Sequence, residues 1–321
     1  MPSRRSLCLM TAAALVAAPA AAQTYPARPI RFIVPYAAGG TTDLVARLVG
    51  ERMKETLGQP LVIENRPGAG GNVGMAEVAK SEPDGYTIGF GAISTNALNP
   101  HIYRTMSFDP RRDFTAISLL GTSTIVLEVG PAIPARTVAE FIAHAKANPG
   151  LRYGTAGNGT SMHLAAVLFA KMTGTDLIHV PYRGSAAGIN DLLGGHLGVM
   201  FDNLPASIGQ IRDGKLTALA VAGSQRSPAI PNVPTIAESG LAGYSVEPWF
   251  GVYGPAKLPE PIVKALNAAL VEALARPEIK EKLAAAGFDA KGSSAAELER
   301  LTQSEYGKFG QIAREAKIAV E

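Results

Sequence analysis

From Ile30 to Phe90 the sequence alternates short β-branched runs with longer stretches of helical periodicity, and the alternation restarts at Ile125. A chain patterned this way buries its strands between helices, which points to layered α/β architecture rather than a helical bundle or a β-sandwich. Residues 30–34, 61–64 and 87–90 read as strands. Between the first two, residues 43–57 place Leu44, Leu48, Met53 and Leu57 near one helical face, with Gly58 as the stop. A second helix runs from the 65–71 loop to Lys80. This β-α-β-α-β order predicts a parallel sheet covered by helices on both faces.

The restarted unit has strands at 125–129, 151–155, 177–180, 199–201 and 216–221. Helices fall at 138–147, 161–172, 185–193 and near Ile208. A proline-rich connection, 227–234, leads to a further strand at 249–253, and the rest is helical: 259–275, 277–286 and 294 to about 316. A helical tail does not make a domain by itself, so it is expected to return and cover the first sheet. The expected division is lobe I over 23–124 and 247–321, and lobe II over 125–246. Two crossings between the lobes make a hinge, with a cleft at the carboxyl ends of the strands.

The N-terminus reads as a signal peptide over residues 1–22: Arg4 and Arg5, an uncharged apolar stretch over 7–18, then Ala20-Ala21-Ala22 as the cleavage site. The apolar run is too short for a comfortable membrane span. Ser3-Arg4-Arg5-Ser6 matches a twin-arginine signal only in part, so the export route stays open. Cleavage would remove both arginines and Cys8, the sole cysteine, leaving a nearly neutral mature chain with no disulfide or thiolate chemistry. With 47% hydrophobic and 18% charged residues and no block of like charge, the chain is globular and carries no nucleic-acid footprint. A soluble periplasmic monomer is expected.

Three strand-to-helix turns suit a ligand. In residues 35–43, Gly39 and Gly40 leave backbone N–H groups open at a helix start, Tyr36 offers an aromatic wall, and Asp43 suits loop bracing. Residues 154–163 hold three glycines and the hydroxyls of Thr155, Thr160 and Ser161, a composition suited to a carboxylate nest that includes Gly159. His163, at the start of the following helix, reads equally as a ligand contact or a backbone brace. In residues 180–185, Tyr182 is a candidate cleft aromatic, while Arg183 reads as exposed. Asp202, at a strand end, accepts from a ligand or braces a loop. Ser94 and Asn96, beyond the third strand, complete the candidate set. Trp249 reads as hinge or core packing.

Catalytic patterns are missing from the sequence. No GxSxG, HExxH or GxxxxGK[ST] occurs, and the five histidines lack ligand spacing. The glycines from Gly68 to Gly74 fail the dinucleotide register, because Val73 stands where the third glycine belongs. No enzyme activity, metal or cofactor is expected.

At these turns the chain resembles the substrate-binding proteins of tripartite tricarboxylate transporters, the Bug-type extracytoplasmic receptors. The likeness is collinear from about Tyr25 to Glu321 and includes "YPARPIRFIVPYAAGGTTD", "VIENRPGAGGNVG", "EPDGYTIGFG", "NPHIYRTMSFDPRRDF", "YGTAGNGTSMHLAA", "HVPYRGSAAGINDLLGGHLGVMFDN" and "RSPAIPNVPTIAESG". The resemblance implies a type II periplasmic-binding-protein fold, two α/β lobes around a hinged ligand cleft. It implies that N–H groups around Gly159, Thr160 and Ser161 hold one carboxylate, while water-mediated contacts to the 35–40 turn read the other end. It further implies a ligand among di- and tricarboxylates, acidic amino acids and aromatic carboxylates, with membrane permease subunits as partners. Val167 departs from the family, whose members often carry an acid there. Two other readings remain at this point: a ligand-loaded partner of a sensor kinase, and an exported α/β hydrolase, against which the missing nucleophile–base pattern counts.

Overall fold

A computed structural model describes residues 25–316. The expected signal peptide lies outside the described residues.

The chain starts with β1 (Ile30–Val34), α1 (Thr41–Leu57), β2 (Leu61–Asn65), α2 (Asn72–Ala79) and β3 (Thr87–Ala92). A π-turn over Ser94–Leu98 leads to the short α3 (Asn99–Ile102) and the long β4 (Phe114–Ser123). The second unit follows as β5 (Ile125–Val129), α4 (Val138–Ala147), β6 (Leu151–Thr155), α5 (Ser161–Thr173) and β7 (Leu177–Pro181). It ends with α6 (Ser185–Leu193), β8 (Val199–Asn203), α7 (Leu204–Arg212) and β9 (Thr217–Val221). The last stretch is β10 (Trp249–Pro255), α8 (Glu260–Ala275), α9 (Pro277–Ala285), β11 (Phe288–Ala290) and α10 (Ala295–Ala316).

Two sheets result, ordered β11-β4-β10-β3-β1-β2 and β7-β6-β8-β5-β9. The parallel sheet expected for the N-terminal unit holds for β2, β1 and β3 only. β10 inserts between β3 and β4 and runs antiparallel to both, so the sheet is mixed. β5 is likewise antiparallel to β8 and β9. Strand direction depends on where a strand enters its sheet, and both β5 and β10 enter directly from a crossing between the sheets. The long β4 and the short β11 lie outside the strands expected from the sequence.

The returning segment is fixed to the N-terminal sheet by aromatic packing. Phe32, Phe90, Phe250 and Phe288, from β1, β3, β10 and β11, form a run of buried rings with centroids 5.7–6.1 Å apart. Each buried phenylalanine contributes about 1.5–3 kcal/mol. α1 ends as its glycine requires: Gly58 is left-handed at φ 68° and its N–H meets the Lys54 carbonyl. The core face of α1, however, is Val45, Ala46, Val49 and Met53. Leu44 and Leu48 are only partly buried and line a groove that also touches Pro205 of α7.

The crossings between the sheets lie side by side. Thr124 alone separates β4 from β5, and the Ser123 N–H donates to the Pro248 carbonyl at 3.1 Å, just ahead of β10. Trp249, buried at the start of β10, packs there.

Candidate functional site

A narrow slot of about 20 Å³ lies between the two sheets at the carboxyl ends of their strands. Four helix starts reach it: Gly40, Thr41 and Thr42 from α1, Thr160, Ser161 and Met162 from α5, Gly184 and Ser185 from α6, and Asn203 from α7. Tyr36, Ser94 and Phe250 complete its polar and aromatic wall. No lining residue carries a charge. The first N–H groups of a helix lack intrahelical partners, and the dipole makes that end positive. Three such ends, those of α1, α5 and α6, turn N–H groups toward the slot, whereas at α7 the Asn203 N–H donates to Asp202, the Leu204 N–H donates to the Thr124 carbonyl and Pro205 has none.

Side-chain capping is sparse at these ends. No side chain caps α1, α6 or α7. Asn203 occupies the N-cap of α7, yet its Oδ1 is buried without a partner, as is Thr41 Oγ1. Asp43 is turned away from the slot: it accepts from the Gly39 N–H at 3.1 Å and pairs with Arg47 at 2.9 Å. Burial alone would raise its carboxyl, but Arg47, the Gly39 N–H and Asn65 outweigh that and hold it below the usual range. Asp43 therefore braces the turn as an anion without facing the ligand space.

Much of the hydrogen-bonding capacity of the glycine-rich 154–160 turn is taken up within the turn. The Thr160 hydroxyl is committed, donating to the Gly157 carbonyl at 2.7 Å and capping His163 N–H at 3.3 Å. The Gly159 N–H points to His163 Nδ1 at 3.4 Å, not into the slot. A side chain on Gly159, at φ +74°, would meet Asn99 Oδ1 at 2.5 Å and the Tyr103 ring at 2.7 Å. Gly159 is thus where the second lobe seats on the first. The Ser161 N–H does reach the slot, and it donates to Ser94 Oγ of the opposite lobe at 3.1 Å.

Behind this turn His163 stacks on His179, with centroids 4.1 Å apart, and His179 stacks on Tyr153 at 4.9 Å. Thr155 Oγ1 meets His179 Nε2 at 2.7 Å. Burial drives His163 down to about 4, and burial with the neighbouring His163 drives His179 to about 3, so both rings are neutral near pH 7. Thr155 and His163 are braces of the turn in this arrangement.

Of the sequence candidates, Tyr36, Gly40, Ser94, Thr160 and Ser161 line the slot. Gly39 lies just outside, at φ +84°. Asn96 is buried in the π-turn below Ser94, accepting from Thr95 at 2.7 Å. Tyr182 donates to Asp191 at 2.6 Å and lines a separate outer cavity of about 270 Å³ with Tyr103 and Arg183. Asp202 stands behind Ser185, whose hydroxyl donates to it at 2.6 Å. Thr41, Ser185 and Asn203 were missed. Each sits at a strand-to-helix turn, the same signal that selected Gly40 and Ser161.

Two α/β lobes joined by paired crossings, with a slot walled by helix starts, define a solute-binding protein. The comparisons narrow the class. The tripartite tricarboxylate transporter family receptor model matches residues 45–318, and the chain belongs to that family. The family is one of solute receptors rather than enzymes. BugT of Bordetella pertussis is 38% identical over 281 residues, covering 87% of this chain and 86% of its own. The structure of Rpa4515 from R. palustris with adipate matches with a TM-score of 0.89 at 38% identity, covering 92% of this chain and 99% of its own. MatC from Rhodopseudomonas palustris with bound malate matches with a TM-score of 0.86 at 32% identity, covering 90% and 99%.

Proposed function

We propose that the protein is a periplasmic receptor that closes on a small carboxylate and presents it to the membrane subunits of a tripartite tricarboxylate-type transporter. The observation that carries this reading is the slot itself: the helix starts of α1, α5 and α6 and several hydroxyls, with no charged side chain in its wall. Such a wall shares out an anion's charge through N–H and O–H donors and holds no carboxylate to balance a cation, which suits a carboxylate ligand. The adipate and malate bound by the two similar structures belong to the same chemical class.

The reading takes residues 125–246 as a lobe that swings against the rest. Hydrogen bonds that bridge the cleft include the Ala37 N–H to the Arg183 carbonyl at 3.1 Å, Tyr103 OH to the Asn158 carbonyl at 3.0 Å, and Ser161 N–H to Ser94. A slot of about 20 Å³ holds little more than a water, so ligand entry requires these contacts to open. A thermal-shift screen of di- and tricarboxylates, acidic amino acids and aromatic carboxylates tests the class. A true ligand at a hundred times its dissociation constant adds about 2.7 kcal/mol. Stabilisation by cationic or neutral solutes alone would refute the reading.

A further inference from the structure

Behind Ser185, away from the slot, stand two carboxyl groups with no cationic partner among the described residues. Asp202 of β8 and Glu128 of β5 are both fully buried. The antiparallel register pairs Val126 with Asp202 and Glu128 with Met200, which puts the two acids diagonally on one face of the sheet. Asp202 receives the Ser185 hydroxyl at 2.6 Å and the Asn203 N–H at 2.8 Å, both on Oδ1, while its Oδ2 has no partner. Neither oxygen of Glu128 is hydrogen-bonded; the Ser207 hydroxyl is beside it but outside bonding geometry.

The charged groups on the surrounding elements are occupied elsewhere or exposed. Asp191 of α6 takes the Tyr182 hydroxyl, and Arg212 of α7 donates to the Ala229 carbonyl. Arg47 of α1 is paired with Asp43, and Arg152 of β6 is exposed. Burial without a counter-ion favours the neutral acid. It pushes Asp202 to about 7, and it pushes Glu128, which also feels Asp202, well above the ordinary carboxylate range.

The consequence falls on Ser185. It opens α6, lines the slot, and its Oγ would lie 3.7 Å from a Cβ placed on Gly40 of the other lobe. While Asp202 is ionised, the serine proton is directed at the carboxylate, and the slot meets an oxygen lone pair. Once Asp202 is protonated, its own O–H can donate to Ser185 Oγ, which frees the serine proton for an anion in the slot. We propose that Asp202 is a positioning residue acting through Ser185: it takes one proton from solvent as a carboxylate enters, so the receptor binds its anion together with a proton. The inference rests on the carboxylate reading above.

Protonation and anion binding then favour each other, so affinity is full below the Asp202 pKa of the free protein and falls as pH rises through it. Calorimetric titration of the mature protein with adipate, in two buffers of different ionisation enthalpy, reads this directly. We expect affinity to fall about tenfold between about pH 6 and about pH 8, with proton uptake nearing one per ligand at the upper end. Asp202→Asn abolishes the slope and the uptake; Glu128→Gln, which stays neutral, keeps both. Binding without proton uptake, or a slope that survives Asp202→Asn and disappears in Glu128→Gln, overturns the proposal. Infrared titration of the ligand-free protein decides independently of adipate and of how well Asp202→Asn folds. A protonated carboxyl band that titrates near neutrality and persists in Glu128→Gln supports the assignment, and its absence at about pH 6 overturns it. Failure of adipate to bind at either pH counts against that ligand only and leaves the infrared result standing.

Discussion

The Ser161 N–H at the start of α5 donates across the cleft to Ser94 Oγ, at 3.1 Å. One donor of the proposed anion site is therefore satisfied by the opposite lobe. A ligand carboxylate that takes this N–H must displace Ser94, so the two compete. Replacing Ser94 with Ala removes a hydrogen bond with a net value of about 0.5–1.5 kcal/mol, and with it part of what holds the ligand-free lobes together. Scattering from the ligand-free Ser94→Ala protein is expected to show a larger radius of gyration than the wild type. Affinity is expected to be unchanged or up to about tenfold tighter. A loss beyond tenfold would mean that Ser94 holds the ligand itself.

Gly159 yields a contrasting prediction. A valine there meets Asn99 Oδ1 and the Tyr103 ring from the other lobe and must also adopt φ +74°. Strain at such a φ costs about 1–3 kcal/mol, and the clash exists only when the lobes are together. Gly159→Val is therefore expected to lower the melting temperature modestly but to abolish compaction on ligand addition in small-angle scattering. Normal compaction in this variant would place the lobe contact elsewhere.

Much of this architecture was legible in the sequence because its determinants are local. The β-branched run Ile30–Val34, the Gly58 stop and the glycine turns act through neighbouring residues. The rest depends on how distant segments meet. Nothing in 249–255 announces that β10 will run antiparallel between β3 and β4. The period of α1 fits either Leu44 and Leu48 or Val45, Ala46 and Val49 as the core face; packing on its sheet and on α8 selects the smaller side chains. Within the site, the glycine turn was recognisable, but the direction of the Gly159 N–H and the capping role of Thr160 follow from backbone geometry that composition does not encode. Ser185 lies in the 180–185 turn, where the aromatic Tyr182 stood out instead, and Asn203 needed only the strand-to-helix rule carried to one more turn of the second unit.

The stacked histidines make stability depend on acid. In the folded protein His163 titrates at about 4 and His179 at about 3, against an ordinary value near 6.5. Between those values the unfolded chain binds protons that the folded one does not, so stability rises with pH there. The contribution of the neutral rings is complete above about pH 6.5 and declines as pH falls. By about pH 4 the loss reaches about 2–3 kcal/mol per ring, the smaller figure for the more exposed His179. Urea midpoints measured across this range are expected to drop accordingly. His163→Gln, which can still accept from the Gly159 N–H but does not titrate, is expected to flatten the curve by about half. An unaltered curve would assign the acid sensitivity to other groups.

The site also predicts which charge does not matter. Arg183 joins the lobes through its backbone carbonyl, but its side chain is exposed and borders the outer cavity, not the slot. If helix N–H groups and hydroxyls carry the ligand carboxylate, removing that guanidinium is expected to change affinity less than threefold at ordinary salt, where an exposed charge is well screened. Ser161→Ala removes a hydroxyl from the start of α5, and losing a charge-assisted hydrogen bond costs about 1.5–3 kcal/mol, or roughly ten- to a hundredfold in affinity. Ser161→Ala leaves the backbone N–H in place, so the loss reads the hydroxyl alone. Calorimetry on the two variants, with the strongest stabiliser from the carboxylate screen, orders them. Loss of binding in Arg183→Ala with Ser161→Ala intact would show that a guanidinium clamps the anion, and the slot between the helix starts would then not be where the carboxylate sits.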